Sequence, residues 1–165
     1  MANRTTGLGR YKGFQFAYTT TGGPPQVEHV PLVSGTYYPG DVLRCSATTG
    51  SAAKIAAAGT SAAYVNSVYV STADSTTGKY PVYPTTDNNI FKAKMVGASE
   101  CQKKVGDLCD IATSAPMSLQ ATASTNVISI VGFPGGTPIA STANNYYYVK
   151  FAQSVWAQTK SDVTK

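Results

Sequence analysis

Glycine and proline cut this chain into pieces too short for most helices. There are 15 Gly and 9 Pro in 165 residues, and clusters of Asn, Thr and Ser accompany them. Short apolar pieces between such breaks predict a sandwich or a barrel. Gly13–Thr20 sets Phe14, Phe16 and Tyr18 in alternation with Gln15 and Ala17, so a half-buried strand with its aromatics inward is expected. Val27–Val33 carries Pro31, which predicts an edge strand or an extended arm.

The later pieces continue the pattern. Pro39-Gly40-Asp41 is a turn, after which Leu43, Cys45 and Ala47 alternate with Arg44 and Ser46. The alanine-rich stretch 51–63 has high helix propensity, yet Gly59 interrupts it and it is short for an isolated helix. A strand near Lys54–Ala57 is expected there, with a short helix as the rival. AYVNSVYVST is read as a central strand, apolar on both faces, and Ile90–Val96 as another strand. Residues 72–89 are turn-rich, so an extended surface loop displaying Tyr80 and Tyr83 beside prolines is expected. Met117, Leu119 and Ala121 alternate with polar residues, VISIVGF suits a buried strand, and NNYYYVKF sets Tyr147, Val149 and Phe151 opposite Tyr146, Tyr148 and Lys150. The two Gly-Asp turns, PGDVLRC and VGDLCDI, lie 66 positions apart. Each opens a strand, as the halves of a degenerate two-lobed barrel would.

Composition bounds the function. Charged residues are 13% of the chain, about half the usual roughly 25%, and hydroxyl-bearing residues take their place. Such a surface suits broad protein contact, and the 11 tyrosines offer contact area with few torsions to freeze. Of the 13 basic residues, Arg4, Arg10 and Lys12 precede the first acid, Glu28, which leaves 10 basic against 8 acidic residues in the remainder. The net charge of +5 is therefore partly an N-terminal arm. No basic face interleaved with aromatics marks a nucleic-acid binder, so direct nucleic-acid binding is not expected. No signal-peptide pattern and no apolar run near 18 residues occur, so no membrane partner is expected. The three cysteines read as free thiols packed as small hydrophobes.

Chemistry is not promoted anywhere. His29 is the single histidine, no GxSxG elbow or phosphate loop occurs, and the eight acids form no evident pair. No cofactor, metal or catalytic residue is assigned, and the chain is expected not to be an enzyme.

The stretches YYPGDVLRCSATTGSAAKIAAAG, VGDLCDI, VISIVGF and YYYVKF resemble tailed-phage head decoration proteins, also called cement or auxiliary capsid proteins. The resemblance implies an all-β, single compact β-barrel or β-sandwich (β-tulip-like), with residues 13–157 as the domain, 1–12 as an extended arm and 158–165 as a polar tail. It implies a structural virion protein, made in the host cytoplasm, that binds the outside of a capsid and stabilises it against internal pressure. The partners would be the major capsid protein and neighbouring copies of the chain, with Arg4, Arg10, Tyr11, Lys12, Tyr80 and Tyr83 as interaction residues. The alternatives are another virion structural protein (tail tube, minor tail or head-fibre base) and a carbohydrate-binding adhesive module stacking sugars on Trp156, Tyr80 and Tyr83.

Overall fold

The computed structural model describes residues 13–45, 51–55, 65–70, 79–95, 103–113, 117–120, 127–135 and 146–151. The chain is all-β, with eleven strands and no helix among the described residues. The strands are β1 (Gln15–Thr19), β2 (Glu28–Val30), β3 (Val42–Cys45), β4 (Ala52–Lys54), β5 (Val65–Tyr69), β6 (Tyr80–Pro84), β7 (Asn89–Lys94), β8 (Leu108–Ala112), β9 (Ser118–Gln120), β10 (Ile128–Gly132) and β11 (Tyr146–Phe151). They form two antiparallel sheets, ordered β2-β6-β5-β3-β4 and β1-β7-β11-β10-β8-β9.

Apart from β1, the two sheets are the same motif used twice. Replacing β2 through β6 by β7 through β11 converts the first strand order into the second. Each five-stranded motif also curls until its two outer strands meet. Leu32, just past β2, makes a parallel bridge to Ala52 of β4, and Met95, just past β7, makes a parallel bridge to Leu119 of β9. The result is two small five-stranded lobes, lobe 1 from β2 to β6 and lobe 2 from β7 to β11.

The Gly-Asp turns show why the same local sequence builds the same corner. In each, the aspartate N–H closes a four-residue turn onto the carbonyl three residues back, Asp41 to Tyr38 at 2.9 Å and Asp107 to Lys104 at 3.0 Å. The third residue sits at φ 93° in both, Gly40 and Gly106, a value glycine alone adopts without strain. The aspartate carboxylate then accepts the N–H of the first turn residue, Tyr38 at 2.9 Å and Lys104 at 2.8 Å. Beyond the turn, Tyr69 N–H donates to the Asp41 carbonyl at 2.9 Å and Ile130 N–H to the Asp107 carbonyl at 3.0 Å.

Lobe 1 is filled by Leu43, Ala52, Tyr69 and Val82, with Val30, Leu32, Tyr37 and Tyr80 packed against them. Register places Cys109, Leu119, Ile130, Val149, Ala93, Met95 and Tyr147 at the corresponding places in lobe 2, and all of these are buried. Strand alternation sends the next residues of lobe 1, Val42 and Val68, out of its own interior. Those residues join Ile55, Phe14, Phe91, Met117 and Phe151 in one larger core shared between the lobes. The Val42 N–H reaches Met117 Sδ at 3.1 Å across this seam. Apolar residues on both faces of β3 and β5 are therefore explained by two layers of packing, one inside the lobe and one between lobes.

The first strand ties the lobes together. Phe14 N–H donates to the Gly40 carbonyl of lobe 1 at 3.0 Å, while Gln15–Thr19 pairs with β7 of lobe 2.

Several expectations are corrected. Residues 80–84 are not part of a surface loop. They form β6, an interior strand of its sheet between β2 and β5; Val82 and Pro84 are buried, and Pro81 stands past the end of β5, where its carbonyl accepts the Val70 N–H. Tyr18 does not face inward with Phe16. A bulge between Phe16 and Tyr18 reverses the alternation, and Tyr18 is 43% exposed. The strand expected at Lys54–Ala57 begins earlier, at Ala52, and residues 56–63 lie outside the described residues. The edge position of β2 agrees with expectation, whereas β10, expected to be buried throughout, is buried only at Ile128 and Ile130 and half-buried elsewhere.

Candidate interaction surface

Of the expected contact residues, the two that are described do not share a face. Arg4, Arg10, Tyr11 and Lys12, and with them the arm 1–12 and the tail 158–165, lie outside the described residues. Tyr80 and Tyr83 are three apart on β6 and point to opposite faces. Tyr80 packs against the lobe 1 interior, 6.2 Å ring to ring from Tyr69. Tyr83 packs against the shared core, 5.1 Å from the Phe16 ring. Both are half-buried.

The structure assembles a different face, on the outside of lobe 2. On β7, Phe91, Ala93 and Met95 are buried, so Lys92 and Lys94 point outward. On β11, Tyr147, Val149 and Phe151 are buried, so Tyr146, Tyr148 and Lys150 point outward. Register sets Tyr148 opposite Lys92 and Tyr146 opposite Lys94, with Ser129 opposite Lys150 on the far side. Lys92 Nζ lies 4.8 Å from the Tyr146 ring centroid, a cation–π distance. The bulge that turns Tyr18 outward brings its ring edge-on to Tyr148 at 5.4 Å. Three lysines and three tyrosines thus occupy adjoining strands.

The sequence pattern contained half of this face. The alternation in YYYVKF predicts Tyr146, Tyr148 and Lys150 together, and FKAKM alternates in the same way at Lys92 and Lys94. Nothing in the sequence says that β11 lies beside β7, or that a bulge adds Tyr18.

A second polar cluster sits at the corner of lobe 1. Asp41 is 1% exposed and pairs with Lys54 Nζ at 3.0 Å. Lys54 also lies 5.4 Å from the centroid of the Tyr38 ring. Asp41 therefore holds a turn and a buried ion pair together. Asp107 holds the corresponding turn of lobe 2 but is itself half-exposed. Changing Asp41 to alanine is expected to cost about 2 kcal/mol, against about 1 kcal/mol for Asp107→Ala. Urea unfolding of the two variants checks the difference, and equal losses would contradict it.

Burial, with smaller contributions from Tyr80 and Asp41, raises the phenol of Tyr69 above its usual 10.0. Burial also raises Tyr37, partly opposed by a hydrogen bond from the Lys54 backbone. The Tyr37 hydroxyl donates to the Val33 carbonyl at 2.7 Å. These phenols are held protonated, the reverse of an activated nucleophile. A folded pKa above the unfolded 10.0 makes their contribution to stability complete below that pH. It is lost as pH rises through the folded pKa. Phenolate absorbance is expected to show Tyr37 and Tyr69 ionising above 10.0, and Tyr69→Phe should flatten the alkaline fall in stability.

No group of three or more His, Cys, Asp or Glu side chains able to hold a metal occurs among the described residues. Cys109 is buried, forms no disulfide and packs in the core. Cys101 lies outside the described residues. No described helix is long and apolar enough to cross a membrane. No protein family, curated protein or solved structure matches the chain.

Proposed function

We propose that this is a structural protein of a tailed-phage virion, binding the outer surface of the capsid and reinforcing it. The observation that carries the proposal is the outer face of lobe 2, with Tyr18, Tyr146, Tyr148, Lys92, Lys94 and Lys150 on one pleated surface. Tyrosines on a ladder supply contact area at little entropic cost. The lysines steer that face toward acidic protein surface. Rigid strands hold the set in place, as a binding patch requires. The low charge of the chain and the resemblance of its Gly-Asp segments to decoration proteins support the same partner. Many copies on one shell add modest contacts into substantial reinforcement by mass action.

The experiment is binding to expanded, undecorated heads of the virus that carries this sequence. Saturable occupancy is expected. A variant with Lys92, Lys94 and Lys150 all changed to serine should stay folded and bind at least about tenfold more weakly, with a shallower salt dependence. Failure of the unaltered protein to bind heads would overturn the capsid proposal. Unchanged binding by the variant would remove this face from it. A carbohydrate-binding module would instead bind glycans and ignore heads.

A further inference from the structure

Lobe 1 holds one polar group that its fold does not call for. Tyr69 is 4% exposed and belongs to the lobe 1 interior, yet its hydroxyl meets no hydrogen-bonding partner among the described residues. Buried hydroxyls are nearly always paired, and one left unpaired is destabilising. The repeat shows that packing does not require it. Tyr69 N–H donates to the Asp41 carbonyl as Ile130 N–H donates to the Asp107 carbonyl, so lobe 2 fills the same place with an aliphatic side chain.

Aromatic rings and a charged pair surround that hydroxyl. The Tyr37 and Tyr80 rings lie 5.7 Å and 6.2 Å from the Tyr69 ring, tilted by 44° and 46°, and both residues are half-buried. The Tyr37 hydroxyl is already engaged with the Val33 carbonyl. Asp41 and Tyr80 act electrostatically on the Tyr69 phenol, which places them near it. The Asp41 side chain is 1% exposed, and the Tyr38 N–H at 2.9 Å and the Lys54 ammonium at 3.0 Å both meet its Oδ2. Acceptor capacity therefore remains at Oδ1. A protonated phenol near a carboxylate, but not bonded to it, suits a group that accepts from the first and donates to the second. A hydroxyl does both, whereas a metal ion cannot accept and an anion cannot donate.

We propose that this corner of lobe 1 binds a sugar, with one hydroxyl of a hexopyranose bridging Tyr69 and Asp41 and its C–H face stacked on the Tyr80 ring. Water would also supply a hydroxyl, but it makes no use of the rings. Apolar aromatic walls around a few fixed polar groups are the make-up of a small-molecule site. Lys54 and Asp41 cancel in charge, so an uncharged ligand fits. The Lys54 side chain, 26% exposed, can donate to a second sugar hydroxyl. These residues belong to lobe 1 and none of them is part of the lobe 2 face, so the inference does not rest on the capsid proposal.

Saturation-transfer NMR of the full-length protein with glucose, galactose, mannose and N-acetylglucosamine tests it. At least one of these sugars is expected to bind, at about millimolar affinity. Tyr69→Phe removes the hydroxyl and keeps the ring. It should stay folded, as Ile130 at the matching place implies, and bind that sugar at least about tenfold more weakly. Tyr80→Leu removes the stacking face and should weaken binding as well; Tyr69→Phe keeps the test decisive if Tyr80→Leu fails to fold. Binding of none of these sugars would overturn the proposal. A folded Tyr69→Phe that holds its sugar as tightly as the unaltered chain would overturn it equally. Because free protein is titrated with sugar alone, either failure leaves the capsid proposal standing.

Discussion

Phe91→Ala is expected to destabilise the protein by about 4 kcal/mol, the range for emptying a fully buried aromatic site. Phe91 is completely buried and lies where both lobes and β1 meet. Its ring stands edge-on to Phe151 at 5.4 Å and to Phe16 at 6.3 Å. Rings from β1 and β11 hold it in place, and close-packed interiors relax only in part when one is removed. The repeat supplies an internal control. The corresponding position of lobe 1 is the half-exposed Glu28, and Glu28→Ala should change stability by no more than about 0.5 kcal/mol. Chemical denaturation of both variants is the measurement. A loss below about 1 kcal/mol for Phe91→Ala would mean that the shared core is not packed as described.

Gly13→Ala comes next, at about 3 kcal/mol, from two additive causes. Gly13 has φ +63°, and a Cβ built there would meet the Gly40 carbonyl oxygen at 2.6 Å. The obstacle is backbone, part of the turn that opens β3, and the same oxygen accepts Phe14 N–H. Relief therefore requires moving β1 or the turn, and either breaks the tie between lobes. The expected signature is a lower denaturation midpoint together with faster amide exchange along β1. Gly106→Ala is the comparison, because it shares the positive φ (+93°) but has nothing within 4 Å of the new Cβ. It should cost about half as much. Equal losses at the two sites would show that backbone conformation alone, and not the contact with Gly40, sets the Gly13 requirement.

The strands were legible in the sequence because each is short, alternating and bounded by a turn former. VISIVGF, FKAKM and YYYVKF are examples. The errors share a cause. Tyr18 turns outward because of one bulge, and a single extra residue reverses every later side chain. Tyr80 and Tyr83 looked like loop residues because Pro81 and Pro84 flank them. Proline is tolerated at position 81 because β5 ends at Tyr69, so only Val70 beyond that strand faces the missing N–H. The repeat was visible only as two Gly-Asp turns. Buried positions demand apolar volume and not identity, so Leu43 could become Cys109 and Ala52 Leu119 while the register stayed the same.

Sequence by itself determined that the chain is built from strands, where its turns fall and which corners repeat. Those are local properties, set by φ preferences, alternation and side-chain bonding within a few residues. Tertiary structure alone decided that two curled lobes share one core, that three lysines and three tyrosines meet on one face, and that β1 pairs with β7. These depend on which strands become neighbours, and strand order is chosen by the burial of faces brought together from distant parts of the chain.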